Sequence, residues 1–456
     1  MKINPQIYRE YDIRGVVDKD LTPDIVRQLG KGFGTHMAGL GKKSLVVGRD
    51  GRLSSKAFSE ALIEGLVSTG CNVVNIGVCP TPAYYFSLFH LNKDGGIMVT
   101  GSHNPPEFNG FKVSVGKSTI FGEEIQNLGR QVQKGDFVTG RGNLSETGVI
   151  RPYQDYIKKN IRFEKKLKVV IDAGNGTGGV VAGPLLRDLG CEVEELYCEI
   201  DGRFPNHFPD PTVPDNLKYL IDRVLKNRAD VGIGYDGDAD RIGVVDEKGN
   251  IIWGDQLMIL FAREILRNQK GATFVAEVKC SQNLFTDIEK HGGRAIMWRT
   301  GHSLIKEKMR EEKAVLGGEM SGHIFFADRY FGYDDAIYAS CRLLELLSKT
   351  ERKLSQLLED VPKTFITPEI RVECPDEIKF NVVEKVKEEL RKDHPIIDVD
   401  GVRAQFGDGW GLVRASNTQP VLVLRFEALS EKRLQEIKKL VEDKVKLAVS
   451  VLEKKF

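Results

Sequence analysis

One pattern recurs three times along the chain and limits its fold more than any other feature: an apolar strand, a polar loop, an amphipathic helix stopping at glycine, and a second strand. The first copy runs from Leu45-Val46-Val47 through a loop at 49–55 and a helix reaching Gly70 to Val73-Val74. The second runs from Val169-Val170-Ile171 through a glycine-rich loop to Gly190 and Val193, and the third from Thr273-Phe274-Val275 to Gly292 and Ala295-Ile296. Each copy reads as a β-α-β unit with a glycine C-cap. Uneven spacing excludes a solenoid, and three related α/β domains with mixed sheets, in tandem, account for the pattern. Beyond Thr350 it changes. Strands at Phe365-Ile366, 396–399, 411–413 and 421–424 mix with helices near 382–390 and 431–447, which predicts a smaller C-terminal α+β domain. Seams at 134–148, 246–254 and 350–363 divide the chain into 1–147, 148–252, 253–362 and 363–456. A length of 456 residues suits two to four such domains.

The charge balance, 66 basic against 65 acidic residues, argues against bulk capture of nucleic acid but leaves room for a local basic pocket. Seven scattered cysteines without a C-x-x-C pair fit reduced thiols better than a disulfide framework or zinc site. With no signal-like N-terminus and no run long enough to span a membrane, a cytoplasmic protein is expected.

Four motifs could carry chemistry. Thr100-Gly101-Ser102-His103-Asn104-Pro105-Pro106 follows the apolar run 96–99 and continues to Lys112. A serine on a tight turn at a strand end can present its hydroxyl as a nucleophile or phosphate carrier, although alone the motif also fits a polar turn. Asp236-Gly237-Asp238-Ala239-Asp240-Arg241 follows a strand. Read as extended, its alternate residues bring three carboxylates together, a set that suits Mg²⁺ with a phosphate oxygen as a further ligand. Glu247 falls at the twelfth position of an EF-hand, but Arg241 stands where that loop needs glycine and strands flank it, so the EF-hand is rejected. Gly317-Gly318-Glu319-Met320-Ser321-Gly322-His323 could grip vicinal sugar hydroxyls or form a plain polar hairpin. Arg414-Ala415-Ser416-Asn417-Thr418-Gln419-Pro420 joins two strands and could cradle a phosphate or be a simple turn. Lys279, Arg299 and His302 follow strands of the third unit, where α/β clefts collect functional groups, yet each also reads as a solvated charge.

Two decoys compete. Gly174-Asn175-Gly176-Thr177-Gly178-Gly179 satisfies the dinucleotide fingerprint, and an oxidoreductase built on it is the main alternative of a different class. Asp172 just ahead of it would oppose a pyrophosphate, which favours an ordinary strand-to-helix turn. Gly116-Lys117-Ser118 would be a P-loop only with glycine at 111, which is Phe111.

Together with Tyr11-Asp12-Ile13-Arg14-Gly15, the four motifs resemble, in kind and order, the α-D-phosphohexomutase superfamily and most closely its phosphomannomutase/phosphoglucomutase branch. The resemblance implies four domains around a central cleft. It implies a phosphoryl group carried on Ser102, Mg²⁺ held by Asp236, Asp238, Asp240 and an oxygen on Ser102, and transfer to a hexose phosphate through a 1,6-bisphosphate that also serves as activator. Tyr11, Arg14 and Arg241 then face substrate, and Lys112 neutralises charge at the transfer site. Glu319, Ser321 and His323 hold the sugar, while Arg414, Ser416, Asn417 and Thr418 hold the distal phosphate. His103, Lys279 and His302 are the proton-transfer candidates. Met320 favours mannose and glucose phosphates as substrates over glucosamine phosphate, for which a phosphoglucosamine mutase is the alternative. The expected partners are small hexose phosphates, with the chain a monomer or small homo-oligomer.

Overall fold

The threefold sequence pattern marks the first two strands of a four-strand unit that three sheets share, to which the first sheet adds three strands and the second adds one. A computed structural model describes residues 3–417 and 419–453. In the first sheet Ser44–Arg49 lies between Asn72–Val78 and Gly95–Val99, parallel to both, and Phe108–Val115 returns antiparallel to Gly95–Val99. In the second, Lys168–Asp172 lies between Glu192–Leu196 and Val231–Tyr235, and Ile242–Asp246 returns antiparallel. In the third, Thr273–Glu277 lies between Arg294–Trp298 and Leu316–Gly318, and Ile324–Phe326 returns antiparallel. The sheets are therefore mixed, as expected. Apart from end residues, their central strands are buried, Val46, Val169 and Val275 wholly so, because helices cover both faces of a parallel sheet.

The last sheet is antiparallel, with Gly409–Ala415 between Val402–Gln405 and Val421–Ala428 and two helices, Lys379–Leu390 and Glu431–Glu453, packed through Val382, Val386, Ile437 and Val441. Two of its strands, Ile370–Glu373 and Val402–Gln405, escape the sequence reading because their short runs are interrupted by charge. One of those charges has a purpose. Arg403 is fully buried, donates to the carbonyls of Val278 (2.6 Å) and Cys280 (2.8 Å) in the third unit, and lies 3.8 Å over the ring of Trp410. No described helix is long and apolar enough to cross a membrane. All seven cysteines are free, six of them buried.

A second buried link joins the second and third units. Asp335 caps the helix Ala336–Ser348 through the Tyr338 N–H (2.7 Å) and accepts from the hydroxyls of Tyr330 (2.7 Å) and Tyr153 (2.8 Å). Burial pushes its carboxyl from an ordinary 3.8 up to about 7. The folded state therefore holds a proton there more tightly than the unfolded chain, and the stability this contributes, full below the unfolded pKa, is lost as pH rises through about 7. Relative to Asp335→Asn, the wild type is expected to lose about 3 kcal/mol of stability between pH 5 and 8. Denaturant midpoints of both proteins across that range check it, and parallel profiles would show that Asp335 stays ionised.

Candidate active site

All four motifs occupy hairpin connections between antiparallel strands. In the three related units the connection is the same one, leaving the C-terminal end of the third strand: Gly95–Val99 leads to Ser102, Val231–Tyr235 to Asp236, and Leu316–Gly318 to Glu319. This is the end of a parallel sheet at which α/β proteins gather ligands. The loops meet. Ser102 Oγ donates to Asp236 Oδ2 (3.0 Å), Arg241 Nε donates to His323 Nε2 (2.9 Å), and the Tyr11 hydroxyl, bonded to the Thr300 carbonyl (2.8 Å), accepts from Asn417 Nδ2 (3.3 Å).

Ser102 has φ +50, in the left-handed region where a non-glycine residue needs support. Arg52 provides it. Its buried guanidinium reaches the carbonyls of Ser102 (2.8 Å), Asn104 (2.5 Å), Pro105 (2.6 Å) and Phe108 (3.0 Å), while Asp50 accepts from the Gly101 N–H (3.1 Å) and pairs with Arg52 (3.2 Å). Arg14 adds a bond to Asn104 Oδ1 (2.9 Å). The result is a rigid turn that aims Oγ at the acidic loop, with His103 Nδ1 3.1 Å away.

The three carboxylates converge, but not by strand alternation. Residues 236–240 form a turn: the Ala239 N–H bonds to the Asp236 carbonyl (3.0 Å), Ala239 is left-handed at φ +58, and Asp236 Oδ1 accepts from the N–H groups of Asp240 (3.0 Å) and Arg241 (3.1 Å). An extended segment would have spread its carboxylates by nearly 7 Å per residue pair; the turn brings one oxygen of each to within 4.8 Å of the others. Gly237 is required for the meeting of the loops, since a Cβ there would lie 2.4 Å from the Ser102 carbonyl. The glycine-rich turn 174–179 serves the same loop. Thr177 N–H bonds to the Gly237 carbonyl (3.0 Å), and a Cβ on Gly176 would lie 2.6 Å from that oxygen. Protein backbone fills the place a pyrophosphate would need.

All three aspartates are fully buried. Burial and the other two carboxylates push Asp236 well above the usual carboxylate range. Burial opposes ionisation of Asp238 too, but Lys112 and hydrogen bonds from Lys112 and Thr81 hold it below that range. Lys112 Nζ bridges Asp238 (2.8 Å) and Asp240, and despite burial these charges keep the ammonium above its ordinary pKa. One cation against three carboxylates leaves Asp238 Oδ1 and Asp240 Oδ1 buried without a partner. Two orphaned carboxylate oxygens facing a buried serine fit a hard divalent cation.

Behind them lies a histidine pair. His302 and His323 stack with centroids 5.6 Å apart, and between them and Lys306 (3.1 Å) lies the fully buried Asp334, 3.2 Å from His323 Nδ1 and 3.8 Å from His302 Nδ1. Burial, then the nearby cation Lys306, pushes His302 well below its usual pKa; burial and Arg241 do the same to His103. Both are neutral imidazoles at pH 7. Lys279 is the opposite case. Although burial opposes it, Glu277 (3.4 Å) and Glu369 of the last unit (2.5 Å) hold it protonated. It is a buried ion-paired charge, not a solvated one.

Glu319 accepts from the Gly301 N–H (3.0 Å) and the Ser321 hydroxyl (3.1 Å) beside this pair. Arg414 is buried, with Nε on Asp400 (3.0 Å), and the Ser416 hydroxyl accepts from the Gln419 N–H (3.2 Å). Thr418 lies outside the described residues.

Four domain families match in succession: Phosphoglucomutase/phosphomannomutase alpha/beta/alpha domain I at residues 5–139, domain II at 151–249, domain III at 253–365, and the C-terminal domain at 369–444. The chain belongs to the phosphoglucomutase/phosphomannomutase family. Among its relatives, a phosphomannomutase/phosphoglucomutase of Pseudomonas putida is 47% identical over 95% of this chain and 94% of its own. A phosphoglucomutase of Neisseria gonorrhoeae is 43% identical over 95% of each. A crystal structure of a phosphoglucomutase/phosphomannomutase family protein from Burkholderia thailandensis superposes with a TM-score of 0.93 at 41% identity, covering 98% of both chains.

Within this family fold, the structure gathers Ser102, His103, Lys112, Arg241 and the three aspartates at one point and His302, His323, Glu319 and Ser321 close by. Tyr11, Lys279, Arg414 and Asn417 lie toward the last unit. Sequence reasoning missed Asp50, Arg52, Thr81, Glu277, Asp334 and Glu369. All are charged or polar, all but the half-buried Glu369 are buried, and nothing in their local sequence distinguishes them from surface positions.

Proposed function

We propose that the chain interconverts hexose 6-phosphates and hexose 1-phosphates, of mannose and of glucose, through a phosphoserine at Ser102 and a hexose 1,6-bisphosphate that also acts as activator. The observation that carries this reading is the Ser102 hydroxyl held by a supported turn against three buried carboxylates, two of them with an unpartnered oxygen. Asp236, Asp238 and Asp240 would hold Mg²⁺, which supplies charge neutralisation for a phosphoryl group on Ser102.

The remaining chemistry belongs to the chain. Phosphoryl transfer asks for positioning and charge more than for covalent assistance. Lys112, fixed between Asp238 and Asp240, neutralises charge on the transferring group, and Arg14 and Arg241 flank it. Burial keeps His302 neutral, so it can take the proton of the attacking sugar hydroxyl; the Ser102 oxygen ends the half-reaction needing one, so that step is proton-neutral overall. His103, also neutral, lies within reach of that oxygen (3.1 Å). Lys279, held as an ammonium, binds charge and accepts no proton. Glu319, Ser321 and His323 grip the sugar hydroxyls, and Tyr11, Arg414, Ser416, Asn417 and Thr418 the phosphate that is not reacting. The bisphosphate must turn over between half-reactions, so the same loops receive it in both orientations.

A coupled assay with mannose 1-phosphate, glucose 1-phosphate and glucosamine 1-phosphate, run beside intact-mass detection of a phosphate adduct, tests the reading. Turnover of the first two and an adduct on Ser102 support it; turnover of glucosamine phosphate alone, or no turnover of any, overturns it.

Arg414→Ala checks the phosphate loop. It removes charge-assisted bonds of about 1.5–3 kcal/mol each, so KM for glucose 1-phosphate is expected to rise about ten- to a hundredfold with a smaller fall in kcat. Unchanged constants would reduce 414–418 to an ordinary hairpin turn.

A further inference from the structure

A cavity of about 430 Å³ opens on the seam between the first and third units, sharing with the site described above only Lys306. One wall is aromatic. Phe89 and Phe331 lie 4.5 Å apart between ring centroids, and Tyr85 and Tyr333 5.3 Å. Cations crowd against this wall: Lys117 Nζ lies over the Phe89 ring (5.6 Å) and Lys306 Nζ over the Tyr85 ring (4.5 Å), while the exposed Arg310 and Lys313 complete the lining. Among the described residues no Asp or Glu lines it. Lys117 donates to the carbonyls of Leu88 and Lys93 (3.1 Å), and Arg310 to the Ser118 hydroxyl, so neutral acceptors take bonds that carboxylates usually take. Among the described residues only Lys306 of these cations forms an ion pair, with Asp334, while Asp94 acts on Lys117 from farther off. The hydroxyls of Thr119 and Ser303, 3.1 Å apart, add buried polar groups from the two units.

Cations gathered around a partly enclosed, low-dielectric space repel one another unless an anion enters. Aromatic walls favour a flat ring, and the volume and domain-seam position are those of small-molecule sites. We propose that this cavity binds an organic phosphate bearing a planar ring, its phosphates on Lys117, Arg310 and Lys313 and its ring against the half-buried Phe331. Such a ligand bridges the first and third units. It also lies one side chain away from the histidine pair, because Lys306 reaches Asp334, which faces both imidazoles.

Isothermal titration calorimetry on the full-length protein, with ADP and inorganic phosphate as probes and EDTA present, tests the site. ADP is expected to bind with Kd below about 1 mM and phosphate at least about tenfold more weakly. Saturating glucose 1-phosphate should leave ADP binding unchanged. The double variant Arg310→Glu/Lys313→Glu, both exposed positions, should weaken ADP at least about tenfold while thermal midpoint and catalytic turnover stay at wild-type values. Phe331→Ala should weaken ADP and leave phosphate unaffected. Absence of ADP binding, its displacement by glucose 1-phosphate, or indifference to the charge reversal would overturn the proposal. Phosphate binding as tight as ADP would overturn the assignment of the aromatic wall.

Discussion

Ser102→Ala is expected to reduce turnover to below about 10⁻³ of wild type, a loss of more than about 4 kcal/mol of transition-state stabilisation, and to remove the phosphate adduct from the intact mass. The hydroxyl is the one group in the cleft that combines a supported left-handed turn, burial, and contact with the acidic loop. The side chains bonded to it are an imidazole and a carboxylate, neither of them a hydroxyl that could take its place. The fold should survive, because the bonds that build the turn come from Arg52 and Asp50 to backbone atoms and not to the serine hydroxyl. A thermal midpoint close to wild type, with turnover gone, is the expected pair of measurements. Retained turnover with full substrate dependence would eliminate Ser102 as the phosphate carrier.

Asp238→Asn should raise the Mg²⁺ concentration for half-maximal activity by more than about 100-fold, beyond what loss of an outer hydrogen-bond partner of a metal site typically costs. The substitution removes one of the three carboxylates; because Thr81 Oγ1 (2.5 Å) and Lys112 (2.8 Å) both donate to Oδ2, the amide oxygen keeps that place and the N–H₂ falls where the unpartnered Oδ1 would meet the metal. By the same logic EDTA should inactivate the wild type and Mg²⁺ restore it. Full activity after thorough chelation would assign the cluster to Lys112 alone, as a buried ion-pair network without a metal.

The repeat was legible because each β-α-β unit is specified locally. Val46, Val169 and Val275 lie in short apolar runs that only a covered parallel strand accommodates, and glycine ends each helix. The motif loops were legible for a related reason: Ser102, Asp236 and Glu319 each follow a strand within a polar turn, and Arg414 stands near the end of one that leads into such a turn. What misled was local conformation at the acidic loop. Alternation along an extended segment gave the right residues for the wrong reason, since the turn closed by Asp236 and Ala239 is what draws the carboxylates together. Lys279 likewise read as a solvated charge because its partner Glu369 is 90 residues away.

The sequence by itself determined four successive units, which residue types sit on their connecting turns, and the family those turns belong to. Those properties depend on periodicity and on neighbours a few residues apart. Tertiary structure decided everything that depends on distance through space: Ser102 against Asp236 across 134 residues, Tyr11 against Thr300 across 289, and Asn417 against Tyr11 across 406. It also decided which polar residues would be buried. Arg52, Asp334 and Arg403 have unremarkable neighbours in sequence, yet desolvation forces each to find partners from other elements, and those partners lock the loops in place.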